Sequence, residues 1–214
     1  MDLHSTLEKK GFAFEEGVSE RALLKLVKGL GEMRMDPRSP EMIRAIVPQK
    51  AAASKTNTLS SRYGVGAFPF HTDTAHWAKP ARYLILYCVH SGEGKRPTLL
   101  QDSRSWKLSL KQQNAVCREV WKTGFVNPSL CTVAKMTEAR LSIRFDRDCM
   151  SPMTKEATSL KNWLIALIDI TPTSEISWAP KCLLILDNHR MLHARGHSEI
   201  ADEGRILKRI LIGD

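Results

Sequence analysis

The chain has 214 residues, of which 43% are hydrophobic, and a formal net charge of +9. This length and composition predict one globular domain over residues 1–214, because all-β barrels of this size commonly remain single units. No apolar run reaches the roughly 18 residues of a membrane-spanning helix, so we expect no membrane span. The basic residues are scattered, and their densest cluster, 205–209, has apolar neighbours, which argues against a nucleic-acid-binding surface.

The cysteines point to a reducing compartment. There are five of them, widely spaced and without a CxxC pair, which argues against a disulfide framework and against a thiolate zinc site. The N-terminal sequence MDLHSTLEKKGF carries acidic residues and lacks the apolar stretch of a signal peptide. We therefore expect a cytoplasmic protein.

The N-terminal part of the chain predicts helices and strands in alternation. A short helix is predicted at 3–10 and a strand at 11–14. A second helix begins near Ser19, a suitable N-cap, because leucine and valine residues recur at helical spacing after it. A strand at 44–47 precedes the small, polar segment 48–58, which we interpret as a loop.

The remaining chain has the strongest β signal. The run YLILYCV at 83–89 is β-branched and aromatic, as is typical of a buried strand. Further strands are predicted at 98–101, 141–145, 182–186 and 205–212, and helices at 105–116 and 155–168. Many short strands without strand–helix–strand alternation favour a mainly β sandwich or jelly roll with flanking helices.

The segment FPFHTDTAHW contains three potential metal ligands within six residues. In an extended segment, residues two apart point to the same side, so His71 and Asp73 can reach one ion from a strand end. His193, which follows another apolar strand in LLILDNHRMLHARG, is the best candidate for a second imidazole. Two imidazoles and one carboxylate leave coordination positions open for a cosubstrate and O2, as in non-haem Fe(II) oxygenases.

Other histidines give alternatives. His76 would allow a zinc-type HxDxxH site, although a histidine there more often lines a pocket. His189 and His197 flank the distal candidate. His193 is preferred over both because of its strand register and its spacing to Arg205, twelve residues later. An arginine in an apolar strand needs an anion, so we predict that Arg205 binds a carboxylate, either of a ligand or of a structural acid.

Four segments in this order, FPFHTDTAHW, GKRPTLLQD, LDNHRMLHARG and RILKRILI, resemble the taurine dioxygenase and clavaminate synthase-like family of 2-oxoglutarate-dependent oxygenases. The N-terminal GFAFEEGVSERALLKLVKGLG is also similar to the family's opening strand and helix, so the likeness covers nearly the whole chain. The resemblance implies a double-stranded β-helix, which is a jelly roll, and an enzyme that uses Fe(II), 2-oxoglutarate and O2.

The resemblance also implies roles for individual residues. His71, Asp73 and His193 would be the iron ligands on which catalysis depends. Thr98 and Arg205 would bind the distal carboxylate of 2-oxoglutarate.

A third group of residues is implied to bind substrate. Arg209, four residues after Arg205 and on the same strand face, would hold an anionic group. Arg144 and Trp77 are further pocket candidates, with structural roles as their alternatives. We therefore expect hydroxylation or desaturation of a small carboxylate-bearing molecule, an amino acid or a metabolite derived from one. The intact Asp73 argues against the halogenase branch of the family, and the short chain leaves the lid over the substrate undefined.

Other functions remain open at the level of the sequence. The charge and the triad would also suit an oxidative demethylase of nucleic acid, but the C-terminal strand lacks the RxNxTxR pattern that we associate with those enzymes. A jelly-roll binding protein without catalysis is a second alternative. A zinc hydrolase is a third, and it leaves Thr98 and Arg205 unexplained. The oligomeric state is not predicted.

Overall fold

The computed structural model describes residues 2–37, 39, 41–56, 58–124, 128–137, 140–200 and 204–213. In these residues the α-helices are α1 (Leu3–Lys10), α2 (Glu20–Leu30), α3 (Leu59–Tyr63), α4 (Leu110–Arg118) and α5 (Lys155–Ile170). The strands are β1 (Phe12–Glu15), β2 (Ile43–Ile46), β3 (Phe68–His71), β4 (Tyr83–His90), β5 (Thr98–Asp102), β6 (Trp121–Thr123), β7 (Ser129–Cys131), β8 (Ala134–Thr137), β9 (Arg140–Ile143), β10 (Met150–Pro152), β11 (Ser174–Ile176), β12 (Leu183–Asp187), β13 (Met191–Arg195) and β14 (Ile206–Ile212).

Two antiparallel sheets form the centre of the fold. One has the strand order β1-β12-β4-β14-β2 and the other has the order β11-β5-β13-β3. Apolar side chains from both sheets share one buried cluster, so the sheets pack face to face. Smaller sheets, β10-β6-β7 and β8-β9, lie beside them. This arrangement confirms the prediction of a mainly β fold with flanking helices.

Strand β4 shows why a continuous apolar run forms a central strand. Leu84 and Leu86 lie in the cluster between the two sheets. Ile85 and Tyr87 lie in a second cluster with side chains of α1 and α2. Because side chains alternate between the faces of a strand, a strand that is covered on both faces is apolar at every position.

The other large sheet positions the histidines of the sequence motifs. Strand β13 pairs with β3 on one side and with β5 on the other. In this register His193 lies opposite His71, and Arg195 lies opposite Thr98. Strand β14, which carries Arg209, belongs to the facing sheet. The distant segments of the sequence therefore meet between the two sheets.

One predicted helix is wrong in its first part. The chain forms a 3₁₀ turn at Ser103–Ser105, and α4 begins only after Ser109. The side chains of Ser109 and Gln112 form a capping box there, and Trp106 is buried before it. Among the described helices, none combines the length and the apolar content that crossing a bilayer needs.

Candidate functional site

A cavity of about 250 Å³ lies between the two main sheets. Its apolar wall includes Leu86 and Leu207 from one sheet and Phe68 and Ala194 from the other. Six of the residues singled out in the sequence line the same cavity: His71, Asp73, Thr98, His193, Arg205 and Arg209. His76 lines it as well, which keeps the HxDxxH alternative geometrically open.

The two imidazoles lie side by side. Their ring centroids are 4.3 Å apart, and His71 and His193 are 7% and 6% exposed. Nδ1 of His71 lies 3.1 Å from the carbonyl oxygen of Pro69. In the tautomer in which Nδ1 donates to that oxygen, Nε2 keeps its lone pair. Among the described residues, Nδ1 of His193 has no hydrogen-bond partner.

The charges of the site suit a metal ion. Burial and the neighbouring His71 lower the pKa of His193 to about 3, so its ring is neutral at physiological pH. Neutral imidazole is the form that binds metals. Burial would raise the pKa of Asp73, but Arg209 and the two imidazoles hold it below its ordinary value. The site thus contains the neutral ring of His193 beside the ionised carboxylate of Asp73.

The carboxylate of Asp73 faces an arginine. Nη1 of Arg209 donates to both of its oxygens, at 3.1 and 3.2 Å, and the Thr74 amide donates to Oδ1 at 2.8 Å. In the part of the chain that the structure describes, no three His, Cys, Asp or Glu side chains are arranged to hold a metal ion as they stand. Of the three predicted ligands, the two imidazoles therefore lie side by side, while the carboxylate of Asp73 is paired with the guanidinium of Arg209.

The backbone at Asp73 is fixed by Asn188, which is 1% exposed. Asn188 accepts the Asp73 amide at 2.7 Å and donates to the carbonyls of Asp73 and Ala81 at 3.0 and 2.8 Å. The next residue, Thr74, has a φ of 56°, which a β-branched residue rarely adopts. Such strain requires a supporting structure and is concentrated at functional sites.

Thr98 and Arg205 both reach the cavity, and they are 4% and 7% exposed. Oγ1 of Thr98 accepts a hydrogen bond of 3.0 Å from Nε1 of Trp178. The hydroxyl hydrogen of Thr98 therefore remains available to another acceptor. The role of Trp178 could not be predicted from the sequence, because one tryptophan between strands gives no signal of its partner.

Arg209 lies in the cavity wall, and its side chain is 11% exposed. It shares a strand face with Leu207 and Leu211, which pack between the sheets. Its Nη2 donates to Oδ2 of Asp36 at 2.7 Å, in addition to the contact with Asp73. Two carboxylates therefore already bind this guanidinium, and its role as a substrate anchor stays a prediction.

Two predicted pocket residues lie outside this cavity. The guanidinium of Arg144 donates to the carbonyl oxygens of Trp77 and Ala78 at 2.9 and 3.1 Å, which leaves it engaged with backbone. The ring of Trp77 lies under the guanidinium of Arg34, 4.8 Å from its centroid, and packs against the core. Both side chains thus make the contacts expected of their alternative, structural roles, and their assignment to the substrate pocket stays a prediction.

No protein-family model and no curated protein sequence matches the chain. Solved structures are similar to it. Asparagine oxygenase in complex with Fe(II), 2S,3S-3-hydroxyasparagine and succinate has 17% identity and a TM-score of 0.79, over 99% of this chain and 77% of that one. The D157A mutant of the non-heme iron oxygenase OrfP in complex with (3S)-hydroxy-L-Arg has 18% identity and a TM-score of 0.79, over 98% and 77%.

A third structure, OrfP in complex with Fe and alpha-ketoglutaric acid, has 20% identity and a TM-score of 0.73. It is matched over 91% of this chain and 64% of that one. At this level of identity the similarity concerns the fold. It confirms the jelly roll that the resemblance in the sequence implied, and the chain has the fold of the non-heme iron oxygenases.

Proposed function

We propose that the chain, as one domain over residues 1–214, is an Fe(II)- and 2-oxoglutarate-dependent oxygenase that hydroxylates a small carboxylate-bearing substrate, an amino acid or a metabolite derived from one. The observation that carries the proposal is the pair of buried histidines, His71 and His193, that share one cavity with Asp73 and with Thr98 and Arg205.

The residues of the site fit a bound iron. The donor set is two imidazoles and a carboxylate, which is the set that leaves positions open for a cosubstrate and O2. His193 is neutral and has a buried ring nitrogen without a hydrogen-bond partner among the described residues. Asp73 would be the anionic ligand, and its carboxylate would have to turn from Arg209 to hold the metal. When bound, iron supplies the redox chemistry by which O2 and 2-oxoglutarate are consumed as the substrate is oxidised.

The protein's own contribution is binding and exclusion of water. The Thr98 hydroxyl, with its oxygen already accepting from Trp178, donates to the distal carboxylate of 2-oxoglutarate. Arg205, buried in the same wall, supplies the matching positive charge. The apolar side chains of Leu86 and Leu207 line the cavity and shield its interior from water.

The lining of the cavity supports an amino acid as the substrate. A volume of about 250 Å³ lies below the roughly 300–1,000 Å³ of pockets for drug-sized ligands, so small molecules fit better than a polymer. Both Arg62, which also pairs with Asp148 at 3.0 Å, and Asp146 line it, so side chains of opposite charge border the space that a zwitterion would occupy. Two of the solved structures with this fold are complexes with hydroxyasparagine and with hydroxyarginine, which are both hydroxylated amino acids.

The compartment and the partners of the protein are also part of the proposal. We keep the reducing cytoplasm as the proposed compartment, supported by the spacing of the five cysteines. The proposed partners are small molecules.

The experiment that tests this function measures succinate formation. Purified protein is incubated with Fe(II), 2-oxoglutarate and O2 and with each amino acid in turn, and products are weighed by mass spectrometry. We expect Fe(II)-dependent succinate with one substrate class and a product heavier by one oxygen atom. Formaldehyde release from a methylated oligonucleotide instead would support the demethylase, which the net charge of +9 favours. Absence of both activities, with 2-oxoglutarate still bound, would support the non-catalytic binding protein.

Trp178 gives a prediction within this proposal. Replacing Trp178 with Phe keeps an aromatic side chain, although a smaller one, but removes the donor to Thr98, which lets the Thr98 hydroxyl rotate. A neutral hydrogen bond contributes about 1 kcal/mol, so we expect binding of 2-oxoglutarate to weaken about fivefold. Calorimetry on the metal-loaded protein measures this.

A matched control is Trp106→Phe. Trp106 is also buried, and its Nε1 has no hydrogen-bond partner among the residues that the structure describes. Its replacement should leave the affinity for 2-oxoglutarate unchanged. Equal weakening by both substitutions would show that the Trp178 contact has no specific role.

A further inference from the structure

We propose that Asp36 is a positioning residue for the proposed metal centre. By holding one side of the Arg209 guanidinium, it keeps Asp73 available to bind a metal ion. The inference deepens the proposed function and rests on it, since it takes Asp73 as a metal ligand.

The two terminal nitrogens of the Arg209 guanidinium bind two different carboxylates. Its Nη2 lies 2.7 Å from Oδ2 of Asp36, whereas its Nη1 lies 3.1 and 3.2 Å from the oxygens of Asp73. The side chain of Asp36 is 3% exposed and that of Asp73 is 14% exposed. The contact with Asp36 is therefore both shorter and less exposed to screening by water, so Asp36 holds one terminal nitrogen of Arg209 while Asp73 binds the other.

Asp36 is held rigidly in place by its neighbours in the chain. The segment that follows α2 is tied to the strand that carries the arginine. Met33 forms a bridge with Ile212, and the amide of Arg34 donates to the carbonyl of Leu211 at 2.8 Å. Asp36, two residues further on, is thus held beside β14 by backbone contacts that do not depend on its own side chain.

Loss of the charge on Asp36 would change how Arg209 binds Asp73. A guanidinium presents its N–H groups as a planar fork that matches one carboxylate with two bonds. With Asp36 neutralised, Nη2 loses its charged partner and both terminal nitrogens of Arg209 can turn to Asp73. The lone pairs of Asp73 then bind the guanidinium instead of a metal ion. Asp36 acts by weakening this internal competitor.

Arg44 distinguishes the positioning role of Asp36 from a general structural role. Arg44 also contacts Asp36, at 3.6 Å, but its side chain is 36% exposed. This contact is longer than a hydrogen bond and only Asp36 is buried in it, so it contributes less than the 2.7 Å contact with Arg209. Arg44 therefore offers a control that disturbs the surroundings of Asp36 without releasing Arg209.

The test is a titration of the metal-free full chain with Co(II), followed by its visible absorption. We expect Asp36→Asn to weaken Co(II) binding about tenfold, as loss of residues that support metal ligands commonly does. Arg209→Gln removes the competitor and a nearby positive charge, so it should strengthen binding by about threefold or more. Adding Asp36→Asn to Arg209→Gln should then change nothing further. Arg44→Gln should stay within about twofold of wild type.

Each outcome decides a separate point. Unchanged affinity in Asp36→Asn would overturn the inference. A loss that persists in the Arg209→Gln background would also overturn it, because Asp36 would then act directly on the ion. If Asp36→Asn fails to fold by circular dichroism, Arg209→Gln alone decides, since weaker Co(II) binding in that variant contradicts competition. Failure of the wild-type chain to bind Co(II) would instead overturn the proposed metal centre itself.

Discussion

Replacing His193 with Ala is expected to abolish Fe(II)-dependent succinate formation, lowering its rate at least about a thousandfold, because the metal's contribution amounts to several kcal/mol. His193 lies opposite His71 on the paired strands β13 and β3, and their rings are 4.3 Å apart. The measurement is initial succinate release at saturating 2-oxoglutarate, together with the bound iron per chain after dialysis.

The control for this prediction is His90→Ala. His90 lies at the exposed end of β4, away from the cavity lining, so its removal should leave turnover unchanged. The His193→Ala chain should remain folded, because its Nδ1 makes no hydrogen bond with the described residues. Retention of iron and of a tenth or more of the wild-type rate, here on the order of one lost kcal/mol, would remove His193 from the metal centre.

The second large effect is expected at Arg205. We expect Arg205→Gln to raise the concentration of 2-oxoglutarate required for half-maximal rate about a hundredfold, since losing one partner of a buried charge pair commonly costs 2–5 kcal/mol, or roughly 30-fold and upward. The rate at saturating 2-oxoglutarate should fall much less. A steady-state titration of 2-oxoglutarate in both proteins gives both quantities.

Lys208→Gln is the matched control for Arg205→Gln. Lys208 also lies in the C-terminal basic segment, but its Nζ reaches Glu20 at 2.5 Å on the surface. Its neutralisation removes one positive charge from β14 without touching the cavity. If both variants raise the 2-oxoglutarate requirement alike, general charge rather than a carboxylate contact at Arg205 explains the effect.

The local patterns of the sequence predicted much of the scaffold. The apolar run at 83–89 became the central strand β4, because a strand covered on both faces must be apolar throughout. Ser19 caps α2 as expected. The start of α4 was misplaced although Ser109 and Gln112 carry a capping-box pattern, and the segment before them forms a 3₁₀ turn at Ser103–Ser105 instead. Three-residue strands such as β6 are too short to give a periodic signal.

The candidate site was predictable where its residues have a characteristic spacing in the sequence. It was not predictable where contacts with residues distant in the sequence determine the geometry. The two-residue spacing of His71 and Asp73 predicted both near one strand end, and in the structure β3 ends at His71 with Asp73 two residues beyond it. The orientation of Asp73 was not predictable, because it depends on Arg209, more than a hundred residues away in the chain. The roles of Asn188 and Asp36 have the same origin, since each is defined by a contact across the fold.

Anaerobic titration of the wild-type chain with Fe(II) and then 2-oxoglutarate tests the central claim most directly. If an iron held by His71, Asp73 and His193 is chelated by the keto acid, a visible charge-transfer band should grow to one equivalent of each component. The band should be lost in His193→Ala and should persist in His90→Ala. Iron binding without any band on addition of 2-oxoglutarate, or an equal band after loss of His193, would contradict the account.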